Sequence, residues 1–579
     1  MAYGYRAMNR IKTDILILGS GGAGLLAALH AHRADPALDI AIAVKGLLGK
    51  SGCTRMVQGG YNVALAPGDS AERHFMDTIE GGKWLNDQDL AWTLVTTAQQ
   101  RIRELENEWG CFFDRNPDGT VHQKAFAGQS FDRTVHKGDL TGIEIVNRLA
   151  EQVWARGIRR LEEHRALALI KSADGAGVAG VLLLDIRSGE FLLVEARAVL
   201  LATGGGPTMY RYHTPSGDKS CDGMAMALRL GLPLRDMEMV QFHPTGLMAG
   251  ADTRITGTII EEGLRGVGGH LLDGSRRRFM PDYDPRAERA TRDIVSRAMV
   301  EQMRAGRVGP NGGVFLTMRH LDPAMVRANF KGMVERCADV GFDLVSGLVE
   351  VTPTAHYMMG GVRFGLDCAT ELPGLYAAGE DTGGVHGANR LGGNGVANST
   401  VFGGIAGASM ARWLRQAGAH RASDAAAVEA AVAAARAPLG ESGDSLEPVR
   451  DALYQTMWDD AGVIRDAAGL KRAVAKLDEL DAALGRARVA AGSPQFNMAW
   501  QDWLNLKNLV LVSRAIVAAA LAREDSCGAH YREDFPNEAD PKSAAFTEAR
   551  LDGREIRIAR VPVRFTRVRP GESLLKGAA

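Results

Sequence analysis

The sequence predicts an α/β fold, a Rossmann-like domain interrupted by an inserted α+β domain and followed by a helical one. Three observations carry this. From Thr13 (TDILILGSGGAGLLAALHAHRA) an apolar run of strand length, a glycine turn and an Ala/Leu-rich run of helix length follow one another. From Gly246 to Pro353 the text becomes charged and mixed in pattern, as in RRRFMPDYDPRAERA, before glycine-dense sequence returns. From about Ser423 it turns Ala-rich with recurring helical periods.

Taken in order, the first strand and helix are joined by a second apolar run, Asp39 to Val44 (DIAIAV), which completes a βαβ pattern. A later strand candidate, Ala198 to Ala202 (AVLLA), ends in Thr203-Gly204-Gly205 and fits the same sheet. Before it, VAGVLLLDIRSGEFLLV over Val178 to Val194 reads as a hairpin turning at Arg187-Ser188-Gly189. The expected division is 1–245 for the first part of the Rossmann-like domain, 246–353 for the insertion and 354–420 for the second part. A helical domain over 421–540 and a tail of short strands over 541–579 complete it. The stretch Leu504 to Ala522 within the helical domain reads as internal packing.

At about 100–200 residues per domain, 579 residues leave room for several domains with large buried cores. Lys plus Arg total 68 against 69 Asp plus Glu, so no surplus of basic side chains supports nucleic-acid binding as a main role. The six cysteines contain no CxxC pair, which excludes a zinc or iron–sulfur ligand run and points to a reduced, cytoplasmic chain. The N-terminal stretch MAYGYRAMNRIK lacks the apolar segment of a leader. Every long apolar stretch reads as broken by Gly or charge, so no direct membrane insertion is expected and any membrane association would come through a partner.

Gly19-Ser20-Gly21-Gly22-Ala23-Gly24 matches GxGxxG between a strand and a helix, where glycines let backbone approach a pyrophosphate at the positive helix end. The acidic residue that would hold a ribose hydroxyl at the end of the second strand is missing, since Val44-Lys45 stands there. That favours FAD over NAD.

Four further segments then occur in order: Gln58-Gly59-Gly60, QFHPTG at Gln241 to Gly246, HYMMGG at His356 to Gly361, and HGANRLGGN at His386 to Asn394. Together with REDSCGAHYREDFP at Arg523 to Pro536 they resemble the flavoprotein subunit of succinate dehydrogenase and fumarate reductase, with L-aspartate oxidase as a near relative. The resemblance runs over nearly the whole chain and implies an FAD domain, a capping domain closing over the substrate, and a helical C-terminal domain.

By that likeness FAD is held by Gly19, Gly21, Gly22 and Gly24, by Lys45, Thr54, Gln58, Gly59 and Gly60, by Asp222 and Glu380, and by Asn394, Gly395 and Val396. His243, His356 and Arg390 match substrate-binding positions, where an Arg fork suits a carboxylate. Arg292 falls at the family's proton-donor arginine, with Glu262 and Arg265 passing protons to it. Read alone, that triad would be an ordinary surface salt bridge. The resemblance also implies hydride transfer at the flavin to or from a small dicarboxylate, with an iron–sulfur subunit or a ferredoxin completing the electron path.

Two positions depart from the family. Succinate dehydrogenase attaches its flavin through a His five residues before the Gln of QGG, and here that residue is Cys53, which excludes a histidyl link; a thioether from Cys53 is chemically open, but a plain thiol and non-covalent FAD are what we expect. Glu261 stands where the family has a Thr that hydrogen-bonds the substrate's distal carboxylate. Two like charges about 4 Å apart repel by roughly 4 kcal/mol at an effective dielectric near 20. Glu261 is therefore expected to be protonated, to turn away, or to meet a substrate end that is not a carboxylate. The last option defines the alternative, an L-aspartate oxidase-like or other amino- or hydroxy-acid-oxidising flavoenzyme. Phe126-Ala127-Gly128-Gln129-Ser130 looks like succinate dehydrogenase, RTVHKGDLTG at Arg133 to Gly142 is closer to aspartate oxidase, and that oxidase's REGGHS segment is absent.

Overall fold

The computed structural model describes residues 8–250, 253 and 255–575; the first seven residues of the stretch inspected for a leader lie outside them. Strands Asn9–Leu18 and Ile40–Val44 run parallel on either side of the helix Gly22–Ala34. Their ILIL and IAIAV cores are buried, as a parallel sheet covered on both faces requires. The sheet continues outward from Ile40–Val44 to Arg159–Glu162. On the other side Asn9–Leu18 pairs in parallel with Phe191–Leu201.

The strand Phe191–Leu201 is shared by two neighbours. Its first half pairs antiparallel with Val178–Asp185, and its last three residues pair in parallel with Leu375–Ala377. The hairpin read at Arg187-Ser188-Gly189 is thus present, and the strand after the insertion returns to the central sheet. The helix Asn394–Leu414 lies directly against Gly22–Ala34 because it carries small residues there. A Cβ on Gly407 would come within 2.1 Å of the Ala27 carbonyl oxygen, and one on Gly403 within 2.5 Å of that of Ala23.

Residues between these parts form an antiparallel sheet in the order Val240–Leu247, Val349–Met358, Val314–Thr317, His270–Leu272. It has its own core of Leu247, Ile260, Leu264, Val295, Met299 and Val351. The two flanking strands of the insertion begin at Val240 and end at Met358, so His243 and His356 lie on paired neighbours.

The C-terminal helices Ala425–Arg436, Glu447–Asp459, Ala467–Arg486 and Met498–Ala522 pack into the core of the central sheet, where Trp500, Val512 and Ile516 join Leu182, Val194 and Met224. The expectation that every long apolar stretch is broken by Gly or charge holds for the helix Met498–Ala522, which carries Asp502, Lys507 and Arg514, but these charges do not stop it short of spanning length. Met498–Ala522 is long and apolar enough to cross a membrane by length and composition. Its apolar side chains are spent on packing within the protein, with 67% of the most apolar window buried. The final strands Ala545–Asp552 and Glu555–Pro562 form a hairpin that adds to Leu234–Arg235 and Gly361–Val362.

Candidate active site

One cavity of about 850 Å³ reaches from the glycine turn to the paired strands of the insertion. At one end it is lined by Gly19, Gly21, Gly22, Lys45, Cys53, Thr54, Gln58, Gly59, Gly60, Asp222 and Glu380, and at the other by His243, Glu261, Glu262, Arg292, His356 and Arg390, with Gly395 and Val396 also on its wall. The structure therefore gathers most residues named from the sequence.

The turn has the geometry its glycines demand. Gly19 has φ +110°, and a Cβ there would lie 2.1 Å from the Ala202 carbonyl oxygen. Gly24 does not line the cavity; a Cβ on it would lie 2.0 Å from the Gly19 carbonyl oxygen, so it lets the helix close on the strand. The helix Gly22–Ala34 has no side-chain cap, and Thr54 Oγ1 accepts from the Gly22 N–H at 3.2 Å. The helix Asn394–Leu414 likewise starts without a side-chain cap. Helix starts whose N-cap residues, Gly21 and Gly393, offer no capping side chain suit an anionic cofactor.

Lys45 and Asp222 form a buried pair at 2.7 Å, and Arg165 meets the other carboxylate oxygen at 2.8 Å. Burial would raise the Asp222 pKa, but Arg165 and Lys45 hold the carboxyl far below its ordinary range. Glu380 accepts from the Met358 and Gly206 N–H groups at 3.0 and 3.2 Å through Oε1. Burial pushes its carboxyl up to about 7 against those two bonds. Burial pushes the half-buried Cys53 thiol up to about 12, with the Glu380 charge adding to it.

Asn394 departs from expectation. Its side chain is turned from the cavity into a closed network, accepting from Asn62 at 2.8 Å, bonded to His74 Nε2 at 2.9 Å and donating to Thr78 at 3.1 Å. It anchors the start of its helix behind the loop and leaves Gly395 and Val396 on the cavity wall.

At the other end Arg292 opens the helix Arg292–Arg304 and grips Glu262 with two nitrogens, at 2.7 and 3.2 Å. Arg265 donates to the same carboxylate at 2.9 Å. All three are buried, which rules out a surface salt bridge. Burial opposes the Glu262 charge, yet Arg292 and Arg265 bring the carboxyl down to about 2. Arg265 is fully enclosed, does not line the cavity, and donates onward to the Glu288 carbonyl at 2.7 Å. The Glu288 carboxylate meets Arg278, whose side chain is partly exposed. A line of ionic and polar groups thus runs from cavity to surface.

His243 and His356 face one another with ring centroids 5.4 Å apart. Thr245 N–H donates to His243 Nδ1 at 3.3 Å, which assigns the proton to Nε2, and His356 Nδ1 contacts Thr214 Oγ1 at 2.9 Å. Burial first, and then the neighbouring arginines, hold both imidazoles well below their ordinary pKa. Neutral rings result at neutral pH. Arg390 lies with its guanidinium carbon 4.4 Å from the Tyr357 ring centroid, and burial with Arg292 lowers its pKa to about 10.

Two participants escape the sequence reading. Gln241 accepts from Arg292 at 2.9 Å and donates to the Arg390 carbonyl at 2.7 Å, linking the two arginines. Its place in QFHPTG is visible in the sequence, its orientation is not. Lys124 lies 2.6 Å from Glu261. The sequence offers Glu261 three ways out of its conflict, and the structure supplies another, a cation partner, while keeping Glu261 on the cavity wall.

Comparison with known proteins is consistent with this site. The family model described as FAD binding domain matches residues 14–396, and that described as fumarate reductase flavoprotein C-term matches 450–574. Over 530 residues the chain is 40% identical to one of the subunits of the CoM/CoB fumarate reductase of Methanothermobacter marburgensis, covering 91% of this chain and 95% of that one. It is 36% identical over 587 residues to the fumarate reductase flavoprotein subunit of Mycobacterium tuberculosis, with 96% and 98% covered. A mutant FrdA from Escherichia coli quinol fumarate reductase superposes with a TM-score of 0.91 at 33% identity, covering 98% of this chain and 99% of that one. These matches do not favour the amino- or hydroxy-acid alternative. An FAD-dependent oxidoreductase, the chain belongs to the family of fumarate reductase and succinate dehydrogenase flavoprotein subunits.

Proposed function

We propose that this chain is the flavoprotein subunit of an enzyme that interconverts a small alkene dicarboxylate and its saturated form, fumarate and succinate being the simplest pair. The observation that carries this reading is the buried Arg292–Glu262–Arg265 triad opening into the same cavity as the glycine turn and facing Arg390 and two neutral histidines. FAD, when bound, supplies hydride transfer. Arg390 and the Nε2–H of His243 are donors for substrate carboxylates, with His356 beside them. Arg292 holds the proton for the substrate; Glu262 fixes its orientation with two bonds and, with Arg265 behind it, replaces that proton. An arginine acid needs this arrangement because its intrinsic pKa is so high.

FAD in this reading is held by the glycine turn, Thr54, the Lys45–Asp222 pair, Glu380 and the start of the helix at Gly395 and Val396. It is not covalently bound. The raised Cys53 pKa leaves that thiol protonated and a poor nucleophile. Electrons pass to or from a separate iron–sulfur subunit or ferredoxin, since no CxxC run is present. The chain works in the cytoplasm, peripheral to the inner membrane when its partner is membrane-bound.

The test is anaerobic. Flavin in the purified protein is reduced chemically, and its absorbance is followed after fumarate is added. Rapid reoxidation with formation of succinate is expected; a flavin that stays reduced in folded, FAD-containing protein would refute the reading. Acid precipitation of the same protein is expected to release all flavin to the supernatant, and a flavin adduct on the intact chain by mass spectrometry would refute non-covalent binding.

A further inference from the structure

Glu261 lines the cavity with Arg292 and Arg390 and is only 4% exposed, so its charge faces whatever enters. Its Oε1 meets Lys124 Nζ at 2.6 Å. Lys124 does not line the cavity; it reaches Glu261 from the short strand Gln123–Lys124, with its ammonium 5.8 Å from the Phe126 ring. Within the cluster at this end, the guanidinium groups of Arg265, Arg292 and Arg390 oppose the carboxylates of Glu261 and Glu262, so these five groups together carry a single positive charge beside two neutral histidines. Lys124 brings the surplus to two, the charge a dicarboxylate requires.

Resting on the dicarboxylate reading, we propose that Lys124 is a specificity-determining residue that acts through Glu261. It neutralises a carboxylate that would otherwise repel the distal end of a dianionic substrate. Glu261 with Lys124 then takes the place of a neutral hydrogen-bonding group, and the pocket keeps its preference for two carboxylates over one.

A double-mutant cycle tests this. Binding of malonate, an unreactive dicarboxylate, and of acetate is measured from the perturbation of the oxidised flavin spectrum, alongside KM and kcat for fumarate. Lys124→Gln is expected to weaken malonate binding and raise KM by roughly two to three orders of magnitude, while changing acetate binding by less than about tenfold. Adding Glu261→Thr is expected to restore malonate binding to within about fivefold of the original protein, and Lys124→Arg to retain it. Flavin content and melting temperature of each variant establish that it is folded; Lys124→Met serves if Lys124→Gln is not. An equal loss from Lys124→Gln with Glu261 or Thr at position 261, or no loss at all, would overturn this inference alone. A parent protein that holds FAD yet binds no malonate and does not turn over fumarate would overturn the dicarboxylate reading, and this inference with it.

Discussion

The two ends of the cavity are built from different materials. Around Gly19 the space is made by backbone, with the Ala202 carbonyl so near that no side chain fits. Around Arg292 it is made by side chains that hold one another, through Glu262, Gln241 and Arg265. The difference teaches where each end is vulnerable. A backbone cradle fails by steric intrusion, whatever the charge of the intruder; a charge lattice fails when one member loses its geometry, even if its sign is kept.

The sharpest way to break the comparison is at Gly19. Gly19→Val meets Ala202 and must leave a φ of +110°, so protein with essentially no bound flavin is expected by absorbance-to-protein ratio. Arg292→Lys should retain flavin in full and keep the charge, yet lose the two-nitrogen grip on Glu262. Fumarate turnover is expected to fall by about three orders of magnitude, as measured by stopped-flow reoxidation. If turnover fell less than tenfold, charge rather than geometry would define that end.

Asp222→Asn sits between the two cases, since it removes a charge from the cofactor end. It leaves Lys45 and Arg165 buried beside a neutral group. A destabilisation of about 3–5 kcal/mol is expected in denaturant unfolding, with reduced flavin retention. The smallest effect is a pH dependence. Burial raises the Glu380 carboxyl from 4.5 to about 7, so the fold favours its protonated form. Its contribution to the stability of flavin-free protein is then complete below about pH 4.5 and is lost as pH rises to about 7. The melting temperature of the original protein relative to that of Glu380→Gln should fall as pH rises across that window, which isolates this contribution from those of the other buried groups.

Legibility in the sequence follows the same division. The βαβ unit, the hairpin at Arg187-Ser188-Gly189 and the glycine turn are readable because local periodicity and glycine spacing encode backbone shape directly. The lattice at Arg292 is readable only through resemblance, because Gln241, Glu262 and Arg292 meet by tertiary packing. Lys124 escapes notice since it reaches Glu261 across 137 positions of chain. A motif assigns Asn394 to the cofactor, but a motif does not say which way a side chain points. The apolarity of Met498–Ala522 is masked by scattered polar residues, Gln501, Asn508 and Ser513, which are themselves buried.

The strand that carries Gln241 and His243 begins just after Asp236 and Glu238, and both acids are held by the far end of the chain. Arg523 meets Glu238 at 2.6 Å, Thr547 Oγ1 donates to its other oxygen at 2.7 Å, and the Thr547 N–H donates to Asp236 at 3.0 Å. Arg465 donates to the Glu238 carbonyl at 2.9 Å. During synthesis, then, this strand can pair with Val349–Met358 early, but the set of bonds on Asp236 and Glu238 is complete only when Thr547 has left the ribosome. A nascent chain can complete its glycine turn long before, whereas the last bonds on the two acids that precede this strand form only when Thr547 emerges.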